Sequence, residues 1–118
     1  MAAARIKDLC LDANDPEALA DWWCTLLGYR RASADEGGER PQGEPVLLLP
    51  GPDGGFPLWV NPVPEPKTAK NRLHMDLYGD SAEIQAAGAV LLHENVGIGW
   101  DVLADPEGNE FCVFPPER

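Results

Sequence analysis

The sequence predicts an α+β fold made of two βαβββ halves, and three observations predict it. Residues 70–78, KNRLHMDLY, alternate polar and apolar side chains with the period of a half-buried strand. Residues 15–28 carry the start, the spacing and the stop of an amphipathic helix. The element order strand, helix, strand, strand, strand then occurs twice, although the residues of the two halves do not repeat.

Taken in order, Arg5 to Asp12 reads as the first strand, with Leu9 and Leu11 on one face and Asp8, Cys10 and Asp12 on the other. Asp15 is placed to cap a helix that Pro16 opens, and Glu17 favours its positive end. Leu19, Trp22, Trp23, Leu26 and Leu27 recur at steps of one, three and four, so Trp22 and Trp23 read as core and rim, and Gly28 is the stop. Tyr29 to Ala34 is a short strand, and Asp35 to Glu44, with Gly37, Gly38, Pro41 and Gly43, is read as irregular. Val46 to Leu49 and Phe56 to Asn61 flank the turn sequence GPDGG and form a hairpin. The first half spans about 5–62, a stiff polar connector 63–70, and the second half about 71–115, within one domain of 1–118.

The second half opens with the strand Arg72 to Tyr78, followed by a short helix capped by Asp80 or Ser81 that runs through Ala87 and ends at Gly88. Ala89 to Leu92 is a strand, His93 to Gly99 a loop with His93 exposed, and Trp100 to Ala104 a strand. Asp105-Pro106-Glu107-Gly108 has the chemistry of a type I turn, and Glu110 to Phe114 closes the chain.

Charge and composition remove several functions. Twenty acidic against nine basic side chains give a net charge of -11, which repels nucleic acid and anionic membranes. The sequence has neither an apolar run long enough to span a bilayer nor a leader pattern, so a cytoplasmic protein is expected. Cys10, Cys24 and Cys112 are odd in number and lack zinc-ribbon spacing, which predicts reduced thiols.

The candidate site lies on the polar strand faces. Arg72, His74 and Asp76 share one face, costly to bury in a closed core and suited to a wet pocket wall, with a solvated outer face as the alternative. Asp76 is expected to pair with Arg72. Asp8 and Cys10 have the matching parity, as do Glu110 and Cys112, and the cysteines also fit as small buried apolar groups. Trp59 and Trp100 offer flat surfaces to an organic ligand or pack in the core.

The helix pattern EALADWWCTLLGY, the stretch VPEPKTAKNRLHMDL and the turn DPEGNEFCVF together resemble the vicinal oxygen chelate superfamily, and within it the glyoxalase-like branch that includes bleomycin resistance proteins and extradiol dioxygenases. The resemblance covers nearly the whole chain. It implies that each βαβββ unit forms a curved half-barrel with its helix on the convex side, that the concave side binds a small molecule, usually over a divalent metal, and that the protein is a homodimer. The family's first-strand ligand lies seven residues before the helix-opening Asp, which here is Asp8; the ligand of the second-half strand is His74; the ligand seven residues after the Asp of the turn is Cys112. A further fourth-strand ligand falls on Trp59 or Asn61.

Only His74 keeps the family's usual ligand type. Carboxylate, imidazole and thiolate together suit zinc or ferrous iron better than magnesium, with manganese and nickel also open, and Glu110 could supply a carboxylate from two residues earlier. With a metal, the resemblance implies chelation of neighbouring substrate oxygens, with Glu110 or His74 moving a proton in a lyase, isomerase or dioxygenase reaction. Without one, it implies a binding, sequestering or sensor protein that holds a small aromatic or amphipathic molecule between the faces of Trp59 and Trp100, with Asn61, Asp76 and Cys10 also lining the pocket and Arg72 as its anion contact.

Overall fold

Helix α1, Pro16–Leu27, starts and stops where its capping residues dictate. Asp15 Oδ1 accepts the Ala18 N–H at 3.2 Å, and Gly28 takes φ 69°, a left-handed value that disfavours a side chain. The computed structural model describes residues 2–38, 40–41, 43–95 and 99–116, and the chain divides into two compact units, 1–66 and 67–118.

In the first unit, β1 (Leu9–Ala13), β2 (Arg30–Arg31), β3 (Val46–Leu49) and β4 (Leu58–Pro62) form a mixed sheet in the order β1-β4-β3-β2. β1 runs parallel to β4, and the other two pairings are antiparallel. Leu19, Ala20 and Trp23 of α1 are buried, as are Leu48, Leu58 and Val60, and each large side chain removed from water here contributes on the order of 2 kcal/mol. Trp22 meets Trp23 edge-on at 5.0 Å and stays half-exposed. Asn14 Nδ2 donates to the Val63 and Glu65 carbonyls at 2.9 and 2.8 Å, which ties the end of the unit to its first strand.

Two strands of this unit differ from the sequence reading, each for a local reason. β1 begins at Leu9 rather than Arg5 because its parallel partner begins at Leu58. Pro57 lacks the N–H needed to extend the ladder, and its carbonyl accepts Leu9 N–H at 2.9 Å. β2 stops after two residues because Ser33 and Glu36 form a capping box that turns the chain into a single 3-10 turn, Ala34–Glu36, which takes the last residue of the expected strand and the first two of the stretch read as irregular. Arg30 grips Glu36 through two bonds of 2.8 and 2.7 Å, and with the Ser33 N–H this lowers the Glu36 carboxyl to about 2.

The second unit contains β5 (Asp76–Tyr78), α2 (Ser81–Ala86), β6 (Val90–Asn95), β7 (Trp100–Ala104) and β8 (Glu110–Phe114). Its sheet has the order β5-β8-β7-β6, so it repeats the connectivity of the first, with β5 parallel to β8. Asp80 Oδ1 caps α2 by accepting the Ala82 and Glu83 N–H groups at 2.9 and 3.2 Å. Ile84, Leu103, Phe111 and Val113 are its buried apolar residues of size. Between β7 and β8 the turn closes through Gly108 N–H to the Asp105 carbonyl at 2.9 Å. The Asp105 side chain is only 2% exposed, and its carboxylate accepts the Glu107 and Asn109 N–H groups and the Asn109 amide.

Two strands of this unit differ from expectation. β5 is three residues, not seven: Arg72 and Leu73 lie in a bend, Leu73 is 85% exposed instead of packed, and the Asn71 N–H is taken by Glu110. β6 runs on to Asn95 because β7 offers partners along that length, with a bulge between Leu91 and His93. His93 is therefore an exposed strand residue and not a loop residue. Of the loop expected at 93–99, residues 96–98 lie outside the described residues, as do 39 and 42 of the stretch read as irregular.

Candidate functional site

The parallel register of β5 on β8 sets Asp76 beside Cys112, and the antiparallel register of β7 on β8 sets Val102 on the other flank of Cys112. Side chains two residues apart share a sheet face, so Trp100 and Val102 line up with Glu110, Cys112 and Phe114. These residues, with Lys70, His74 and Asp76, line a cavity of about 310 Å³ within the second unit. Phe111 reaches the same cavity from the core side.

One end of the cavity is polar. His74 Nδ1 stands 3.4 Å from Asp76 Oδ1 and 4.0 Å from Cys112 Sγ, and the three groups present ligating atoms that all lie within 4.8 Å of one another. A Cys-His-Asp nucleophile triad requires the thiol and the carboxylate on opposite ring nitrogens. Here both approach Nδ1, which is an arrangement for converging on a shared centre instead. Burial pushes the Cys112 thiol up, and the Asp76 carboxylate adds to the rise, against a smaller opposing pull from Lys70.

The donor set fits a divalent ion. Tetrahedral zinc with ordinary bond lengths places nitrogen and oxygen donors about 3.3 Å apart and nitrogen and sulfur about 3.6 Å apart. The 3.4 Å separation meets the first and the 4.0 Å one is wider than the second, and with the three donor atoms spread over up to 4.8 Å the side chains must rotate inward to close on one ion. Thiolate and imidazole favour zinc or ferrous iron over magnesium.

Glu110 occupies a different role in the geometry. Its Oε1 accepts the Asn71 N–H at 2.9 Å and lies 3.0 Å from Lys67 Nζ, and its Oε2 lies 3.2 Å from the same ammonium. The Asn71 N–H and then the Lys67 ammonium hold its carboxyl below the usual range, against the opposing effect of burial. Lys67 also donates to the Ala69 carbonyl, so residues 67–71 are clasped to the start of β8. The other end of the cavity is aromatic, with Trp100 and Phe114 stacked at 5.6 Å and 29°.

In the first unit, Asp8 Oδ2 accepts the Trp59 Nε1–H at 3.1 Å and pairs with Lys7, while Cys10 Sγ lies 3.9 Å from Oδ1. The Lys7 ammonium lowers the Asp8 carboxyl. Cys10 is exposed and registers opposite Trp59, Asn61 opposite Asp12, and the Arg40 guanidinium lies 5.2 Å from the Trp59 ring centre. Arg72 is exposed in the bend before β5, and Asp76 pairs with His74 rather than with Arg72 as expected, because the strand does not extend back to residue 72.

Phe114 lines the cavity although the sequence reading gave it no site role, and Asp76 stands in the ligating group beside His74 and not in the charge pair expected with Arg72. Phe114 is accessible to a period-2 reading from Glu110 and Cys112, and Lys70 opens the alternating stretch at the parity of His74 and Asp76.

The sequence profile of the glyoxalase-like domain family matches residues 8–114. The chain belongs to this family. The vicinal oxygen chelate fold of this glyoxalase-like domain is shared with a glyoxalase/bleomycin resistance protein/dioxygenase family enzyme from Burkholderia phytofirmans, at 18% identity and TM-score 0.69 over 97% of this chain and 100% of that one. It is also similar to FosX, a fosfomycin resistance protein of Listeria monocytogenes whose mutant was seen with Mn(II) and 1S,2S-dihydroxypropylphosphonic acid, at 12% identity and TM-score 0.70 over 99% and 95%. A third neighbour is TnmS3, an antibiotic binding protein from a Streptomyces species, at 17% identity and TM-score 0.63 over 99% of both chains. Identities this low establish the fold alone. A search of curated proteins gives no match. Among the described residues, no helix is long and apolar enough to cross a membrane.

Proposed function

We propose that this glyoxalase-like domain binds a small organic molecule in the cavity of its second unit, beside a divalent cation held by His74, Asp76 and Cys112. The observation that carries the reading is the convergence of these three ligating groups, within 4.8 Å, at one end of a cavity whose other end is aromatic. The expected ligand set is thereby revised in one member, with Asp76 from the same unit joining His74 and Cys112. When bound, the ion would supply Lewis-acid polarisation of ligand oxygens. The chain's own contributions are separate: Trp100 and Phe114 offer an apolar surface, and Glu110 fixes the segment that leads into His74. FosX, with its Mn(II), is a precedent in the same fold for a cation seat.

A second reading is a metal-free binder, favoured by the burial that pushes the Cys112 thiol up, because an ion bound there must displace a proton that is harder to remove. TnmS3, an antibiotic binding protein, is its precedent. Elemental analysis of tag-free protein after zinc, iron, manganese or nickel loading separates the two. Near one ion per chain in the wild type and near none in His74→Ala supports the cation seat, and no ion in either selects the metal-free reading. A homodimer completes the proposal, and light scattering at several concentrations tests it.

A further inference from the structure

The cavity has a cation of its own. Lys67, Ala69 and Asn71 are all tied down, by the Glu110 carboxylate and by the Lys67 bond to the Ala69 carbonyl. Lys70 sits between them, lines the cavity, and makes no ion pair or hydrogen bond with another described residue. Its backbone is therefore held in place while its ammonium is left unspent. This is a notable use of charge in a chain with nine basic and twenty acidic side chains, whose overall field repels anions.

We propose that Lys70 is the anion-recognition residue of the cavity, and that the ligand is a compact, flat, apolar molecule carrying one negative group, such as an aromatic carboxylate. The inference rests on the cavity reading above and names its ligand class. The stacked rings of Trp100 and Phe114 line the cavity with apolar aromatic surface that suits an aromatic body, and Lys70 offers a charge-assisted hydrogen bond to its anionic group. A volume of about 310 Å³ lies at the lower end of the range for ligand sites, which favours a single ring over a larger skeleton. Asp76 shares the cavity and disfavours a dianion, while its pairing with His74 leaves Lys70 to face the ligand.

The test uses tag-free, metal-free protein, so that Lys70 is the cation under examination, with benzoate and the neutral benzamide as probes in calorimetry and in NMR of the Trp100 indole. The expected result is benzoate binding about tenfold tighter than benzamide in the wild type. In Lys70→Met benzoate should fall to the level of benzamide, with benzamide unchanged, and Lys70→Arg should restore the difference. Lys70 is exposed, so the substitutions leave the fold in place. Equal binding of the two probes, or a preference for benzoate that survives Lys70→Met, overturns the proposal. Binding of neither probe overturns it too. Zinc titration of the same samples tells which reading has failed: zinc bound with charge-blind or absent probe binding refutes the Lys70 assignment alone, and loss of both zinc and probes refutes the cavity reading as well.

Discussion

Removing the Glu110 carboxylate should destabilise this domain without abolishing its binding. Glu110→Ala leaves the Asn71 N–H and the Lys67 ammonium without their acceptor, at contacts of 2.9 and 3.0 Å whose side chains are 15% and 19% exposed. A charge-assisted bond of this kind, partly screened by solvent, contributes about 2 kcal/mol. For a chain of 118 residues that corresponds to a fall in Tm of about 8 °C. Glu110→Gln keeps an acceptor for Asn71 and should lose about half as much. The carboxyl is held below its ordinary value in the folded state, so its contribution is present above the unfolded pKa and is lost as pH falls through the lower, folded one. The difference in stability between wild type and Glu110→Ala should therefore shrink as the solution is acidified below about pH 4. Thermal unfolding across pH, followed by circular dichroism, measures both effects, and zinc affinity is measured alongside. An unchanged Tm in Glu110→Ala would refute the clasp, and loss of zinc with no loss of stability would make Glu110 a member of the site instead.

The remaining expectations concern the turn, the seat and the aromatic surface. Asp105→Ala should cost about 3 kcal/mol in chemical denaturation, since it strips a buried acceptor from several N–H groups of the turn; a loss under about 1 kcal/mol would mean that water replaces it. Cys112→Ser should weaken zinc at least about tenfold while leaving the far-ultraviolet spectrum unchanged, and cobalt loaded into the wild type should show a sulfur-to-metal charge-transfer band that the variant lacks. A bound aromatic carboxylate should quench tryptophan fluorescence, with the quench reduced in Trp100→Leu. The same measurement on Trp59→Leu tests whether the first-unit tryptophan, engaged by Asp8 and Arg40, also meets the ligand.

Much of the fold is written locally. The span of α1 follows from Asp15, Pro16 and Gly28, and the bounds of β3, β7 and β8 from short apolar or alternating runs beside turn residues, because caps, turns and period-2 faces depend on neighbours within a few positions. The same parity placed Glu110 with Cys112 and His74 with Asp76 on shared faces. What it did not contain is which strand lies beside which. The parallel register that puts Asp76 against Cys112 joins residues 36 positions apart, and the bond from Asn71 to Glu110 spans 39, and neither leaves a mark in the nearby sequence. Hence Arg72 looked like part of the β5 face until the Glu110 bond drew the chain out of the ladder at Asn71. Likewise the sequence offers Glu110 as a proton carrier, and only the fold shows its oxygens engaged by Asn71 and Lys67. Local chemistry determined the elements and their faces. Packing decided their register, and with it which groups meet, because a strand's pairing is fixed only when its partner is in place.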